Sequence, residues 1–320
     1  MSKLYVSMYH YVRDLRHSRY PEIKGLDVSL FRQQIEFMNE YFSIVTMEQV
    51  IDSVVRKIAL PENALLLTFD DGYIDNYTYV LPILEEFGIQ GSFFIPGKTF
   101  ATHQLLDVNK IHYILASANI LELVVDVKKE MDYFRGKEFD YSANEELFAK
   151  YAVANRFDTK ETIFVKRMLQ TVLPEPVRNM ISSKLFEKYI GITEEKLAYE
   201  LYLNYDQIRT MKRHGMFIGV HGYDHYWLGN LETNQMKKDI EMALDTMDEF
   251  IDRSCWVMNY PYGSYNSEVL DFIKKQGACL GFTTDVRIAD LKRDLALEIP
   301  RLDCNDFPPK SNNYLIKYNS

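Results

Sequence analysis

An apolar run at residues 64–67 leads directly into the sequence TFDDG at residues 68–72. Consecutive apolar residues without alternation are typical of a strand that is buried on both faces, as in a parallel sheet covered by helices. Such a strand delivers Asp70 and Asp71 to its C-terminal end, where Gly72 permits a tight turn. Adjacent carboxylates resist ionising together unless a cation lies nearby. The segment therefore predicts a buried parallel strand with a cation site at its end.

A second apolar strand, residues 216–220, is followed by the sequence HGYDH at residues 221–225. His221 and His225 would meet Asp71 if the two strand ends lie at the same edge of a parallel sheet. Two imidazoles and one carboxylate form a facial metal site with open positions for water. The sequence therefore indicates a metal centre built by both segments.

Strand-like and helix-like segments alternate through most of the chain. Residues 3–9, 92–95 and 280–283 are further predicted strands, and one predicted helix begins at a cap provided by Asp206. Another amphipathic helix is predicted from Thr233 and extends through Ile251 in the apolar pattern. Repeated strand–helix units imply an α/β fold with parallel strands, here a deformed (β/α) barrel with its functional site at the C-terminal strand ends.

Residues 101–201, approximately, break this alternation. They carry many charges, few strand signals and several helical stretches, such as residues 121–134 and 160–173. We therefore expect a single catalytic domain over residues 1–320, with a helical insertion at about 101–201.

Composition limits the class of partner. The formal net charge of −9 argues against nucleic acid, because binding a phosphate backbone requires a basic surface. The N-terminal residues show no apolar signal-peptide core, and no segment reaches membrane-spanning length. These features predict a cytoplasmic protein without a transmembrane segment, and they leave the oligomeric state open.

With these motifs the chain resembles the carbohydrate esterase family 4 polysaccharide deacetylases, also called the nodulation-deacetylase homology domain. The resemblance covers about residues 5–100 and 205–305. TFDDG matches the first family motif, and HGYDH matches the second with Gly222 where Ser or Thr is usual. The third motif normally reads Arg-x-Pro-Tyr/Phe, and here Asn259 replaces the Arg. The sequence YPYG at residues 260–263 and Tyr9-His10 are closest in style to poly-N-acetylglucosamine deacetylases.

The resemblance implies a role for each matching residue. Asp71, His221 and His225 would hold one divalent metal ion, most often zinc in this family. Asp70 would be the general base, and the backbone N–H of Tyr262 would stabilise the oxyanion of the tetrahedral intermediate.

Three more residues are assigned to the substrate-binding side of the site. They are Pro261, which would fix the backbone before the oxyanion donor, Asn259 and Arg301. The Arg that normally orients the general base is missing from the third motif, so another group is needed to hold Asp70. Arg301 has two interpretations, a functional one and a structural ion pair with Asp303.

The general acid is not identified by the resemblance. The family usually supplies a His near the C-terminus, and no His follows His225. His10 at the end of the first strand is the leading candidate. The alternatives are His112 in the insertion, Asp303 and metal-bound water.

The activity that these residues predict is metal-dependent hydrolysis of N-acetyl groups on an amino sugar or glycan, in surface-polysaccharide or glycoconjugate biosynthesis. One alternative is an amide hydrolase that acts on another N-acylated small molecule. The other is a non-catalytic carbohydrate-binding relative, which the missing Arg and missing late His would favour.

Overall fold

The computed structural model describes residues 3–137, 139–155 and 158–316. Met1 and Ser2, the first two residues of the N-terminal segment, lie outside the described residues. The chain forms two compact units. The sheet unit comprises Met1–Asp14, Gly25–His103 and Leu201–Ser320, and the helical unit comprises Leu15–Lys24 and Gln104–Glu200. The predicted insertion therefore corresponds to most of the helical unit, to which the sequence pattern gave no reason to add Leu15–Lys24.

The strands are β1 (Lys3–Tyr9), β2 (Val12–Arg13), β3 (Leu26–Asp27), β4 (Ser43–Ile44), β5 (Ala64–Asp70), β6 (Ser92–Ile95), β7 (Phe217–Val220), β8 (Trp256–Asn259), β9 (Ala278–Phe282), β10 (Ala289–Asp290) and β11 (Leu302–Asp303). The helices are α1 (Val28–Tyr41), α2 (Met47–Val55), α3 (Leu81–Phe87), α4 (Gly97–Ala101), α5 (Asp107–Ser117), α6 (Ile120–Phe134), α7 (Asn144–Tyr151), α8 (Lys160–Arg167), α9 (Glu175–Ile190), α10 (Glu194–Leu201), α11 (Tyr205–Arg213), α12 (Thr233–Met247), α13 (Ser267–Lys275) and α14 (Asn313–Ile316).

The main sheet confirms the predicted deformed (β/α) barrel. Its strand order is β10-β1-β5-β6-β7-β8-β9, and the pairs from β1 through β9 are parallel. The segment at residues 299–303 links the β9 end of this order to β1, the strand next to β10. Ile299 bridges to Phe282 of β9, and Leu302 pairs in parallel with Ser7 of β1.

Strand β5 is the centre of this arrangement. All of its residues are buried, as the apolar run predicted. Its side chains alternate between two hydrophobic clusters, with Leu65 and Leu67 in one and Leu66 in the other. By the same alternation Thr68 and Asp70 share the face of Leu66. This places the Asp70 carboxylate inside the curved sheet and not among the helices that cover it.

Two details of the predicted helices differ. Asn204, not Asp206, caps α11, where it forms a capping box with Gln207. Asn204 and Asp206 are both residues that can cap a helix. The two reciprocal hydrogen bonds between Asn204 and Gln207 favour Asn204. Helix α12 ends at Met247, so the apolar pattern that continues to Ile251 belongs to the turn that follows and not to the helix.

The helical unit consists mainly of α5 to α10. The stretch at residues 160–173 is divided into α8 and a following turn of π-helix, Met168–Val172. In the part of the chain that the structure describes, no helix combines the length and the apolar content that crossing a bilayer requires.

Candidate active site

Asp70 is the last residue of β5, and its carboxylate is almost fully buried. Arg301 binds both carboxylate oxygens, with Nη1 at 2.8 Å from Oδ1 and Nη2 at 2.9 Å from Oδ2. Burial by itself raises the pKa of Asp70. The charge of Arg301, followed by that of His10, outweighs burial and leaves the pKa below its ordinary value. Asp70 is therefore held as a carboxylate, the form that can accept a proton.

Arg301 is itself locked in place. It is 1% exposed, its Nε donates to the carbonyl oxygen of Thr283 at 3.0 Å, and Nη1 donates to Oγ1 of Thr68 at 3.1 Å. It lies between the pairings that tie residues 299–303 to β9 and to β1. The predicted option of an ion pair with Asp303 is wrong, because Arg301 pairs with Asp70 and Asp303 caps a short turn by accepting the N–H of Asn305. The guanidinium that the third motif lacks thus comes from the C-terminal segment.

Asn259, the last residue of β8, joins the two halves of the site. Its Nδ2 donates to Oδ1 of Asp70 at 2.6 Å, and its backbone oxygen lies 2.7 Å from Nδ1 of His221. Because β6 and β7 separate β5 from β8, the bond to Asp70 crosses the inside of the curved sheet. The sequence assigns Asn259 and Arg301 to substrate binding, and in the structure both side chains bind the carboxylate of Asp70.

Asp71, His221 and His225 come together as the sequence predicted. Oδ1 of Asp71 lies 3.3 Å from Nε2 of His221 and 3.2 Å from Nε2 of His225, and all three side chains are buried. Asp71 and Gly72 both have left-handed φ angles, 73° and 65°, so the chain turns sharply after β5 and aims the two carboxylates differently. Tyr73 donates its hydroxyl to Oδ2 of Asp71 at 2.6 Å, which leaves Oδ1 facing the imidazoles.

This group fits a divalent metal ion. One ligand atom from each residue lies within 4.8 Å of the others, and within the described ranges the buried Oδ1 of Asp71 has no hydrogen-bond donor of its own. The backbone carbonyl at Nδ1 of His221 fixes that proton and directs the lone pair of Nε2 into the site. Burial lowers the pKa of His225, although the Asp71 carboxylate has the opposite effect. The lowered pKa favours the neutral imidazole, which is the form that binds metal.

His10, Pro261 and Tyr262 lie around the same strand ends. Tyr9 is in register with Phe69, so His10 follows β1 beside Asp70, and its Nε2 is 3.7 Å from Oδ2. Its side chain is 42% exposed, which makes it accessible to a ligand. Pro261 is buried at the start of the turn Pro261–Gly263, in which Tyr262 has a φ of 57°. His112, the alternative acid, lies on α5 of the helical unit.

Three residues of the site were not predicted. Tyr73 directly follows TFDDG, and that position was the available signal for it. Trp227 stacks on the Tyr262 ring, with centroids 4.4 Å apart, and that ring in turn meets His225 edge-on at 4.7 Å. Asp239 accepts bonds from the loop that carries His225, although its position in the sequence is that of an ordinary helical residue.

Comparison with known proteins agrees with this geometry. The sequence profile described as Polysaccharide deacetylase matches residues 57–126 and 139–280, which is more than half of the chain. The chain belongs to the polysaccharide deacetylase family. The predicted family is therefore confirmed, and the enzymes of this family are carbohydrate deacetylases. Arg301 lies beyond the residues that the family profile matches.

Individual relatives are distant. YxkH of Bacillus subtilis, named as a candidate polysaccharide deacetylase, is 24% identical over 207 residues, which are 64% of each chain. The chain thus spans less than two-thirds of the length of this relative.

Two solved structures of deacetylase-family proteins share the fold over nearly the whole chain. The Streptococcus pyogenes deacetylase PplD, solved in complex with acetate, gives a TM-score of 0.60 at 17% identity and covers 98% of this chain and 96% of its own. IcaB from Ammonifex degensii gives a TM-score of 0.57 at 18% identity, with the same shares covered. At these identities the likeness shows the fold.

Proposed function

We propose that this protein is a metal-dependent N-deacetylase that acts on an acetylated amino sugar or glycan of a surface polysaccharide or related glycoconjugate. The observation that carries the proposal is Asp70, a buried carboxylate that Arg301 holds ionised directly beside the cluster of Asp71, His221 and His225. A general base adjacent to a facial metal site can activate a water molecule for the hydrolysis of an amide.

The metal that we assign to Asp71, His221 and His225 is zinc. When bound, it would polarise the acetamide carbonyl and lower the pKa of a water molecule. The donor set of two imidazole nitrogens and one carboxylate oxygen suits this ion, since catalytic zinc sites use three protein ligands and keep a position open.

In the proposed reaction Asp70 accepts the proton of the attacking water. Its orientation is fixed by the fork of Arg301 and by the amide of Asn259, so the proton acceptor needs no rearrangement. The backbone N–H of Tyr262 is assigned to the oxyanion of the tetrahedral intermediate.

His10 is the proposed general acid for the leaving amine. Its Nε2 is 3.7 Å from Oδ2 of Asp70, and its side chain is partly exposed to solvent. It therefore lies beside the proposed general base and remains accessible to a ligand. His has the side chain whose ordinary pKa best suits proton donation near neutral pH. Protonating the amine lets the C–N bond break to give acetate and a free amino sugar.

The non-catalytic alternative is less consistent with these contacts. A binding protein has no use for a buried Asp70 that Arg301 keeps ionised, because burying an ion pair is energetically costly. The acetate bound in the PplD structure matches the product that deacetylation would release.

Acetate release from N-acetylglucosamine oligomers, with zinc supplied, tests the proposal. We expect Asp70→Asn to retain bound zinc and lose acetate release by about 10³-fold or more, given the usual size of general-base and positioning effects. Asp206→Asn removes an exposed carboxylate on α11 and serves as the matched control, with unchanged release. Turnover by Asp70→Asn close to that of the wild type would overturn the assignment. Release from simple N-acyl amines but not from oligomers would favour the small-molecule hydrolase.

A further inference from the structure

The loop that carries His225 has an unusual backbone. Residues 221–225 connect β7 to the segment before α12, and both Gly222 and His225 have left-handed φ angles, 68° and 58°. Glycine adopts this conformation at no steric cost, whereas for a His it is disfavoured and persists only where the surroundings impose it. The placement of His225 therefore depends on contacts outside the loop.

Asp239 of α12 supplies two of these contacts. Its Oδ2 accepts the backbone N–H of Tyr223 at 3.1 Å, and its Oδ1 accepts the N–H of Asp224 at 2.8 Å. The side chain is 4% exposed, so both bonds form away from solvent. Hydrogen bonds from backbone N–H groups to a charged carboxylate are stronger than those between neutral groups. One carboxylate thus binds the loop at the two residues immediately before His225.

The start of α4 holds the opposite side of the loop. The N–H of Gly97 donates to the carbonyl oxygen of Gly222 at 3.0 Å, and the N–H of Lys98 donates to that of Tyr223 at 3.1 Å. The ammonium of Lys98 also pairs with Asp224 at 2.7 Å. The loop is therefore fixed through both its N–H and its C=O groups, and Asp239 is the side chain that serves the N–H groups.

Asp239 also lies against Gly222, the position at which the motif that HGYDH resembles usually has Ser or Thr. A Cβ atom added to Gly222 would lie 3.1 Å from Oδ2 of Asp239, closer than ordinary packing allows. The carboxylate thus lies against the position where a Ser or Thr side chain would begin. With glycine there, residue 222 contributes no hydroxyl to the loop, and the N–H groups of Tyr223 and Asp224 are instead bound by Asp239 of α12.

We infer that Asp239 is a positioning residue for the metal site: it fixes residues 223 and 224 so that Nε2 of His225 faces Asp71. This inference rests on the proposed metal-binding role of Asp71, His221 and His225. Groups that orient metal ligands from outside the coordination sphere typically affect affinity by about 10–100-fold when they are removed.

Zinc affinity of the full-length protein, measured by competition with a chromophoric chelator, tests the inference. Asp239→Asn preserves volume but offers only one acceptor, and Asp239→Ala offers none. We expect zinc binding to weaken about 10–100-fold in Asp239→Asn and at least as much in Asp239→Ala. Asp245→Asn, on the same helix and paired with Arg253 at an exposed site, is the control and should match the wild type.

The melting temperature of each metal-free variant, followed by circular dichroism, separates positioning from a purely structural role. Weakened zinc binding in an Asp239→Asn protein that melts at the wild-type temperature supports positioning, whereas a lower melting temperature with unchanged zinc binding shows a structural role only. A folded Asp239→Asn protein that binds zinc within about twofold of the wild type would overturn the inference, whatever its melting temperature. If Asp239→Ala does not fold, the isosteric Asn variant decides. Zinc binding by the wild type without acetate release would contradict the proposed activity and leave the role of Asp239 standing. Absence of zinc binding by the wild type would end both.

Discussion

Removal of Arg301 should perturb both the activity and the stability of this protein through one carboxylate. Arg301→Gln takes away the charge that most strongly opposes the effect of burial on Asp70. The side chain of Asn259 remains bonded to Oδ1, but an amide carries no compensating charge. Asp70 is then a nearly dry carboxylate without its cation, and burial should raise its pKa.

The size of the effect follows from the geometry. A neighbouring Arg lowers the pKa of an Asp by about 1–3 units, so the acid limb of the pH–rate profile should move upward by about that amount. Breaking a buried ion pair by removing one partner typically costs about 3–5 kcal/mol of unfolding free energy at neutral pH. Arg301→Lys keeps a charge but loses the fork that binds both oxygens, so we expect an intermediate result.

The assay combines acetate release as a function of pH, at saturating zinc, with urea unfolding at pH 7. Arg209→Gln is the matched control. Arg209 also donates two hydrogen bonds to one carboxylate, that of Glu249, but this pair is exposed to solvent. Exposed pairs contribute about 0–1 kcal/mol, so the control should change little. An unmoved acid limb in Arg301→Gln, with a stability loss below about 1 kcal/mol, would refute the role given to Arg301.

Three further predictions concern groups around the same centre. His10→Gln should lose the alkaline limb of the pH–rate profile and slow acetate release by about 10²–10⁴-fold, with zinc content unchanged. His112→Gln should match the wild type. Retention of both limbs by His10→Gln would rule out His10 as the general acid. The folded pKa of Asp70 is lowered, so its stabilising contribution is present above its unfolded pKa and is lost as pH falls through the folded pKa. Urea unfolding from pH 7 to pH 3 should therefore show a smaller loss of stability for Asp70→Asn than for the wild type, and equal slopes would contradict this. Tyr73→Phe removes the hydroxyl bonded to Asp71 and should weaken zinc binding about 10–100-fold in chelator competition; unchanged affinity would show that the bond does not orient the ligand.

The sequence predicted the parts of the site that are local. Asp70, Asp71, His221 and His225 each follow a recognisable apolar strand, and parallel strands bring their C-terminal ends to one edge. The motif residues therefore identify the group of candidate metal ligands without knowledge of the packing. The same reasoning placed His10 beside Asp70, where the structure has it.

The contacts that hold these residues could not be predicted, because they join distant positions. Arg301 is 231 positions from Asp70, follows no helix or strand pattern of its own, and was one of several cations near the C-terminus. Asp239 lies on an amphipathic helix, where a polar residue is ordinarily solvent-facing. Only the packing of α12 against the strand ends shows that it is buried. A local motif names the reacting groups, and the long-range fold decides what orients them.

Some predictions from the sequence stay predictions. They are the cytoplasmic location and the exclusion of nucleic acid as a partner. The choice of zinc rests on the donor set of Asp71, His221 and His225.

Amide hydrolysis at the proposed metal site of Asp71, His221 and His225 is tested most directly by measuring acetate and free amine released from N-acetylglucosamine oligomers by one preparation in three states. These states are as purified, after chelation, and after zinc is restored. We expect equal amounts of acetate and amine, loss of release on chelation and recovery with zinc, with no recovery in Asp71→Ala. Release that is unaffected by chelation, or that persists in Asp71→Ala, would contradict it.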